Sequence, residues 1–235
     1  IIVANQAGNQ ATDNARQLFA KVPGLNIWES DNAGLQLGIG VRGLSPNRTS
    51  NFNTRQNGYD IAADALGYPE SYYTPPSPAI ERIEVVRGAA SLQYGTQFGG
   101  MLNFKLSGAP ETEKFNIKIK NSAGSFGLWN SFNSIGGNIG RFSYYAYSQI
   151  KRGNGWRENS AFNREDGHIA LGFQINEKLR IGAEYTHMRY LAQQGGGLTD
   201  RMFQKNPRLA IRDRNWFAVR WNVAALTLNY KASPL

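Results

Sequence analysis

The second half of the chain alternates apolar and polar residues with a period of two. This period is typical of β-strands with one apolar face, because successive side chains of a strand point to opposite sides of the sheet. Clear alternation occurs in the segments 115–119, 142–149, 169–175, 181–185, 217–223 and 226–230. The segment 126–136 alternates less clearly and is counted as a further strand. The sequence therefore predicts seven strands in this half of the chain.

The connections between the predicted strands fall into two length classes. Short turns are predicted at 137–140, 176–178 and 224–225, whereas 152–166 and 191–213 are long, polar and rich in glycine. Strands of about ten residues, with short turns at one end and long loops at the other, are typical of an outer-membrane β-barrel. A soluble β-sandwich would also alternate, so the pattern alone leaves that architecture open.

Aromatic residues lie near the ends of several predicted strands, where a membrane barrel carries its aromatic girdles. These residues are Trp129, Trp156, Tyr190 and Trp216. Their positions favour the barrel over the sandwich.

The first hundred residues have an irregular pattern with helix and strand signals. A short helix is predicted from Asn14 to Lys21, with Asp13 as its N-cap and Leu18 and Phe19 buried. Strands are predicted at 37–42, within 80–88 and at 101–106, and a long polar excursion at 45–78. This part of the chain is therefore expected to be a small mixed α/β unit with an unusually large loop.

Composition narrows the class of protein further. The chain has 26 Lys and Arg against 17 Asp and Glu, a formal net charge of +9, but no cluster of five basic residues. An aromatic content of 12% excludes a disordered chain. The absence of cysteine excludes disulfide scaffolds, zinc fingers and thiol catalysis. The chain contains no run of about 18 apolar residues, so no membrane-spanning helix is predicted.

Four motifs in the first part of the chain resemble the plug domain of TonB-dependent outer-membrane receptors. They are LFAKVPGLNI at 18–27, VRGLSPNR at 41–48, IERIEVVRGAASLQYG at 80–95 and FGGMLNFKL at 98–106. Their order and spacing also match that family. The segments RQNGYDI at 55–61 and GYPESYYTPP at 67–76 resemble ferric-citrate-type receptors of the Bacteroidetes kind.

The resemblance implies a fold of two parts. Residues 1–107 would be a mixed α/β plug domain, and 108–235 the N-terminal part of an antiparallel transmembrane β-barrel. A barrel of about 22 strands is wide enough to need a plug. Its strands would turn apolar residues to lipid and polar residues to the plug, with Glu184 and Arg220 facing inward. Seven strands cannot close such a barrel, so the sequence is expected to be part of a longer chain.

The resemblance also implies a function, which is energy-coupled uptake across the outer membrane of a Gram-negative cell. The ligand is expected to be scarce and to be a ferric chelate, such as a siderophore or a citrate complex. The implied partners are TonB with ExbB and ExbD from the inner membrane, outer-membrane lipid and the small iron chelate, but no nucleic acid. The iron chelate would be cargo, and no covalently bound cofactor is expected.

Ligand binding is expected at the outward-facing end of the plug. The candidates are Arg48, Arg55, Gln56, Tyr94 and Gln97. Arginine presents forked donors that match carboxylates, and amides add further hydrogen bonds, so this group suits an anionic chelate. Ordinary solvated loop polarity is the alternative for each of them. The loop aromatics Tyr68, Tyr72 and Tyr73 could instead pack the plug against the barrel wall.

Three charged plug residues, Arg42, Glu84 and Arg87, are candidates for anchoring the plug in the barrel. By resemblance, the two arginines would pair with barrel glutamates, since a buried charge needs a partner. Glu84 and Glu81 are nearby alternative partners for the arginines. Alternatively, both arginines would simply terminate their strands in water.

The sequence contains no recognisable catalytic motif, so an enzyme is not expected. His168 and His187 lack metal-ligand spacing, and the Asp60–Asp64 pair is better explained by loop solvation. No Lys-Ser/Thr follows the glycines at 95–100, as a phosphate loop would require. Two other functions stay open: a soluble β-rich module that binds nucleic acid or polysaccharide, and a plugged barrel with an adhesin or assembly role. A dependence on detergent would separate the first of these from a receptor.

Overall fold

The computed structural model describes most of the chain. The described residues are 2–3, 15–19, 23–29, 34–35, 37–41, 43–63, 71–86, 93–95 and 97–232. The predicted positions Asp13, Lys21, Arg42, Asp64 and Arg87 lie outside them, as does Tyr68.

The N-terminal unit is a small mixed α/β arrangement. Its elements are β1 (Ile2–Val3), α1 (Ala15–Phe19), β2 (Leu25–Glu29), β3 (Leu37–Val41), β4 (Phe52–Gln56), β5 (Tyr59–Asp60), β6 (Ile80–Val86) and β7 (Gly100–Leu106). Five strands form one sheet in the order β1-β6-β7-β4-β5, in which only β4 and β7 pair in parallel. Strands β2 and β3 form a separate antiparallel pair. Leu18 and Phe19 of α1 are buried, as predicted.

Two consecutive glycines allow β7 to begin close to its neighbours. A Cβ on Gly99 would lie 2.5 Å from the carbonyl oxygen of Asn51, and one on Gly100 would clash with the carbonyl of Val86. Gly100 also has a φ of +139°, which L side chains rarely adopt. The glycines of the FGG motif are therefore a packing requirement of the sheet.

The prediction of one long polar excursion at 45–78 is wrong for the middle of that segment, which contains β4 and β5. Asn53, Thr54 and Gln56 are buried although they are polar. Polar residues on both faces of β4 remove the apolar signal on which strand prediction depends. The strand is nevertheless central in its sheet, between β7 and β5.

The second half of the chain forms one antiparallel sheet, called the wall below. Its strands are β8 (Asn116–Gly124), β9 (Leu128–Ile139), β10 (Phe142–Gly153), β11 (Phe162–Gln174), β12 (Leu179–Gln193) and β13 (Trp216–Tyr230). Each strand pairs with the next one in the chain. Short turns join β9 to β10 and β11 to β12, whereas 154–161 and 194–215 are the long connections, the second with a short helix, α2 (Asp200–Lys205).

The wall has six strands instead of the predicted seven. The two segments predicted at 217–223 and 226–230 are both part of β13. Phe217 and Trp221 pack on the hydrophobic core, whereas Leu226 and Leu228 lie on the opposite, exposed face. The apolar residues thus change face near Ala224 within one strand, and this change imitates a turn in the sequence.

The two faces of the wall have different surroundings. The inner face is the one that contacts the N-terminal unit. Exposed apolar side chains on the outer face include Ile117, Ile119, Ile169, Leu171, Phe173, Ile181, Leu226 and Leu228. Among the described residues, no helix has the length and apolar character needed to cross a membrane.

The register of β12 and β13 confirms one predicted orientation and corrects two. Glu184 lies on the inner face, as predicted, and contacts the N-terminal unit. Arg220 lies opposite Arg189 in register and shares the outer face, because the parity of β13 places even-numbered residues outside. Tyr190, expected in an aromatic girdle, is buried on the inner face against Phe217.

Candidate functional site: the contact between the N-terminal unit and the wall

The first contact is made by the turn between β4 and β5, and we call it the hairpin contact. Asn57 and Gly58 have φ values of 49° and 97°, as a tight Asn-Gly hairpin turn requires. The turn presents two donors to one carboxylate of β12. Asn57 Nδ2 donates to Glu184 Oε2 at 2.9 Å, and the Tyr59 hydroxyl donates to the same oxygen at 3.1 Å.

Asn57 also ties the hairpin to the strand beside it. Its backbone amide donates to the carbonyl of Phe104 at 3.0 Å, and its Oδ1 accepts from the amide of Leu106 at 3.0 Å. Both partners lie at the end of β7. Asn57 therefore bonds both to β7 and to the wall strand β12.

Gln56 is completely buried in the same contact. Its Nε2 donates to Thr186 Oγ1 of the wall at 3.0 Å and to the Tyr59 hydroxyl, and its Oε1 accepts from the Tyr73 hydroxyl at 2.9 Å. The prediction that Gln56 binds ligand at an open surface does not fit this position. Its amide instead links the unit to the wall.

The two tyrosines of the hairpin contact are held in their protonated form. Burial raises the pKa of Tyr59, and the negative charge of Glu184 raises it further. Burial also raises the pKa of Tyr73, with a contribution from Asp166. Both hydroxyls therefore remain hydrogen-bond donors at neutral pH.

His168 supports the hairpin contact from within the wall. Its Nδ1 lies 2.9 Å from Thr186 Oγ1, and its ring stacks on Tyr147 with the centroids 5.2 Å apart. His187 lies on the opposite face of the wall, since it neighbours Thr186 on the same strand. The described part of the chain contains no group of three side chains that could hold a metal ion.

The second contact is made by residues 71–79, which we call the strap. Arg164 Nη2 of β11 donates to the carbonyl of Thr74 at 2.6 Å, and Lys118 Nζ of β8 donates to the carbonyl of Pro78 at 3.0 Å. The ring of Tyr72 stacks on Phe217 of β13, with centroids 5.8 Å apart. The strap thus crosses the inner face from one end of the six-stranded sheet to the other.

A buried ion pair fixes the arginine that holds the strap. Arg164 Nε and Nη2 each lie 2.7 Å from an oxygen of Asp166, two residues along the same strand. Their side chains are 7% and 0% exposed. The bidentate geometry and the burial make this pair stronger than a surface pair. The predicted packing of Tyr72 and Tyr73 against the wall is also confirmed.

The predicted anchors do not reach the wall where the structure describes them. Glu84 accepts from Asn103 at 2.7 Å and from Arg82 at 3.1 Å, and Glu81 pairs with Arg82 at 2.8 Å. Burial would raise the pKa of Glu84, but the bonds from Asn103 and Arg82 outweigh it and lower the pKa. Glu84 therefore stabilises the sheet of the N-terminal unit and does not contact the six described wall strands; its anchoring role stays a prediction. Arg42 and Arg87 lie outside the described residues, so their anchoring stays a prediction.

The predicted ligand residues form one partial cluster around Arg55. Its Nε donates to Asn53 Oδ1 at 2.7 Å, its Nη1 to the carbonyl of Gly58 at 2.7 Å and its Nη2 to the carbonyl of Tyr94 at 3.1 Å. The guanidinium also lies over the Tyr94 ring, 5.2 Å from its centroid. Internal contacts thus occupy Arg55, which a ligand would have to displace.

Two other predicted ligand residues are placed in part. Gln97 is buried, and the backbone of Arg48 lies in a short 3-10 turn (Asn47–Thr49). The side chain of Arg48 is outside the described part of the chain. Ligand binding by Arg48, Arg55, Tyr94 and Gln97 stays a prediction.

The two long loops at one end of the wall form a single bonded structure, which sequence reasoning missed. Arg157 Nη2 donates to the carbonyls of Gly196 at 3.0 Å and Leu209 at 2.7 Å. Asn159 Nδ2 donates to the carbonyl of Arg212 at 2.6 Å. These bonds join the loop 154–161 to the loop 194–215.

The larger loop carries an excess of positive charge. Its exposed cations are Arg201, Lys205, Arg208, Arg212 and Arg214, against the two carboxylates Asp200 and Asp213. A loop with this balance attracts anions. The five basic residues spread over 201–214 form no contiguous run, but their excess over acidic residues was the available sequence signal.

Comparison with known proteins supports this arrangement of unit and wall. Residues 1–101 match the family model described as TonB-dependent Receptor Plug Domain. The unliganded ferric citrate transporter FecA matches with a TM-score of 0.82 at 22% identity, covering 94% of this chain and 35% of that chain. The ferric enterobactin receptor PfeA of Pseudomonas aeruginosa matches with a TM-score of 0.70 at 18% identity, covering 99% and 38%. FpvA of P. aeruginosa, bound to a pyoverdine–iron complex, gives 0.72 at 16% identity, covering 94% and 30%.

The chain therefore has the fold of the TonB-dependent outer-membrane receptors. Residues 1–101 match the plug-domain model of that family, and β8–β13 form the antiparallel sheet that follows them. The chain spans about a third of the length of the receptors it matches. The Bacteroidetes-like part of the resemblance stays a prediction.

Proposed function

We propose that the protein containing this chain is a TonB-dependent receptor of the Gram-negative outer membrane that takes up an anionic ferric chelate. Its division into a plug at 1–107 and barrel strands from 108 onward is part of this proposal. TonB, with ExbB and ExbD, would supply energy from the inner membrane. The protein would act as a transporter and not as an enzyme.

The observation that carries this proposal is the plug lying on the inner face of a wall whose outer face is apolar. A soluble nucleic-acid- or polysaccharide-binding module would have to leave the outer apolar side chains in water, which is costly over so large an area. In a membrane barrel, the same residues face lipid. A plug held inside by specific hydrogen bonds suits a gate that opens on demand.

The charge of the loop 194–215 supports an anionic ligand. Its five exposed cations lie at the long-loop end of the wall, which is the extracellular end in outer-membrane barrels. Carboxylate or catecholate groups of a ferric chelate would gain charge-assisted hydrogen bonds there. FecA, PfeA and FpvA are described as handling ferric citrate, enterobactin and pyoverdine. We infer a chelate of this broad class and leave its identity to experiment.

The test is uptake by the complete protein in a Gram-negative strain that lacks its own ferric receptors. Radioactive ferric citrate and a set of ferric siderophores are supplied with TonB present or deleted. The proposal predicts accumulation of at least one chelate, which is lost without TonB. Surface binding with no TonB-dependent accumulation of any chelate would contradict it and favour an adhesin or assembly role.

A charge series in the same strain locates the ligand. Replacing Arg201, Arg208 and Arg214 by Ala should weaken chelate binding by at least about tenfold and make it less sensitive to salt. Arg55→Ala is the matched plug variant, because its guanidinium is already occupied. Loss of binding only in Arg55→Ala would place the ligand on the plug cluster and contradict the loop assignment.

A further inference from the structure

We propose that Arg189 and Arg220 form a binding site for the phosphate of an anionic lipid in the outer leaflet. The inference rests on the membrane location proposed above, but not on the transported ligand. It starts from the outer face of β12 and β13, where polar side chains interrupt an otherwise apolar surface.

The two arginines are direct neighbours across adjacent strands. Arg189 and Arg220 are partners in the register of β12 and β13, and both are exposed on the outer face. Like charges directly opposite one another destabilise an antiparallel pair. An anion that bridges both guanidinium groups would turn this repulsion into attraction.

The described residues neutralise this pair only in part. Glu165 lies opposite Arg189 on the other side, yet neither arginine forms an ion pair with a carboxylate of the described residues. The polar groups one row nearer the short turns bind each other: the Tyr185 hydroxyl donates to Asn222 Oδ1 at 2.8 Å, and His187 Nδ1 lies 2.8 Å from the same oxygen. The donors of the two arginines therefore stay available.

The height of the pair on the wall points to a lipid headgroup. Ten residues separate Arg220 from Tyr230 at the short-turn end of β13. At a rise of about 3.4 Å per residue and a strand tilt of about 40°, this is about 26 Å along the membrane normal. The apolar band of an outer-membrane barrel is about 25 Å tall. The arginines thus lie at its outer boundary, where lipid phosphates are found.

The side chains above and below the pair fit this placement. Leu226, Leu228 and Tyr230 are exposed on the same face toward the short turns, and Trp216 is exposed four residues beyond Arg220. Tryptophan is enriched at the membrane interface. A phosphate held between the interface tryptophan and the apolar band would accept forked donors from both guanidinium groups.

The experiment measures lipid retention by the complete, detergent-purified protein. The protein is loaded with lipid A or with its dephosphorylated form, washed in neutral detergent and analysed by native mass spectrometry. The proposal predicts preferential retention of the phosphorylated lipid, and a loss of about tenfold or more in the Arg189→Ala/Arg220→Ala variant. Arg201→Ala/Arg214→Ala, which removes the same charge from the loop, should retain lipid as the unchanged protein does. Heat-modifiable electrophoretic mobility verifies that each barrel is folded.

A second variant and a competitor define the site. Arg189→Lys/Arg220→Lys keeps the charge but loses the fork, so its retention should fall between the two extremes. Equal retention in the unchanged protein and the double Ala variant would overturn the proposal. Displacement of the lipid by millimolar inorganic phosphate would also overturn it, because the site would then be one for a free anion.

Discussion

The plug contacts the wall at two places that use opposite chemistry. At the hairpin contact, plug side chains donate to Glu184 and Thr186 of β12. At the strap, plug backbone carbonyls accept from the wall cations Arg164 and Lys118. Substitutions in the plug can therefore abolish the hairpin contact, whereas the carbonyls of the strap persist whatever side chains the strap carries.

This difference suggests a division of labour in the plug. The strap contains prolines, which lack an amide donor; the carbonyl of Pro78 accepts from Lys118 of the wall, whereas that of Pro76 accepts from the amide of Ala79 within the strap. The attachment of the strap to the wall depends on Arg164, which is buried and paired with Asp166. The hairpin contact depends on neutral donors to Glu184 and Thr186, and no ion pair among the described residues supports it. We therefore expect the hairpin contact to open first when the plug is pulled.

The largest effect is expected from breaking the ion pair that supports the strap. Asp166→Ala leaves Arg164 buried without its counter-ion, which should destabilise the complete protein by about 3–5 kcal/mol. Denaturant unfolding of the detergent-purified protein measures this change. The exposed Asp200→Ala is the control, with little expected effect. A cost for Asp166→Ala below about 1 kcal/mol would show that water screens the pair.

A double variant separates the stability of the wall from the hold on the strap. Arg164→Met with Asp166→Leu removes both buried charges, so the free energy of unfolding should recover most of the loss. Hydrogen exchange over 71–79 should nevertheless be faster than in the unchanged protein, because the carbonyl of Thr74 has lost its donor. Recovery of slow exchange in the double variant would show that the strap does not depend on Arg164.

A smaller effect is expected at the hairpin contact. Glu184→Ala removes the acceptor of Asn57 and Tyr59, and because both bonds are only part-buried the donors can turn to water, so the total cost should be about 1–3 kcal/mol. Hydrogen exchange of residues 55–61 should accelerate, while that of 71–79 stays unchanged. Glu165→Ala on the outer face is the matched control. Equal acceleration in both segments would mean that the plug is held as one unit.

The stacked rings at the end of the strap should contribute less. Tyr72→Leu removes the ring that stacks on Phe217 and should cost about 0.5–1.5 kcal/mol beyond the lost area. Hydrogen exchange of 71–74 should accelerate and that of 76–79 should not. Acceleration over the whole strap would show that Tyr72 holds its far end as well.

The smallest effect is a pH dependence within the plug sheet. The pKa of Glu84 is lower in the folded plug than in an unfolded chain. The unfolded state therefore binds more protons at acid pH, and stability falls as the pH drops through the folded pKa of Glu84. Hydrogen exchange of β6 and β7, measured down the acid range, should accelerate less in Glu84→Gln. An identical acid response in both proteins would contradict this role.

The alternation of apolar and polar residues predicted most of the wall, because a sheet with one apolar face imposes that period on the sequence. The alternation pattern was misleading in β13. There the inner face is apolar near the plug core, and the outer face is apolar toward the short-turn end. Arg220 was placed on the wrong face for this reason. The plug strand β4 was missed because most of its buried residues are polar: Asn53 Nδ2 donates to Asp60, and Gln56 Nε2 donates to Thr186.

The candidate site was less predictable than the fold. Contacts such as Asn57–Glu184 join residues 127 positions apart, and no local pattern encodes such a pairing. Gln56 carries an amide that could bind a ligand, and only its burial shows that it links plug and wall. The position of Glu184 on the inner face followed from the period of β12, but its partners did not.

The most direct test of the account is to lock the hairpin contact. Asn57→Cys and Glu184→Cys introduce two thiols into a chain that has none, and a short thiol-to-thiol cross-linker with a cleavable disulfide joins them in whole cells. The account predicts efficient cross-linking and a loss of TonB-dependent uptake that returns when the linker is reduced. The pair Asn57→Cys with His187→Cys, on the outer face, should not cross-link. Absence of cross-linking at Glu184, or full uptake by the cross-linked protein, would contradict the account.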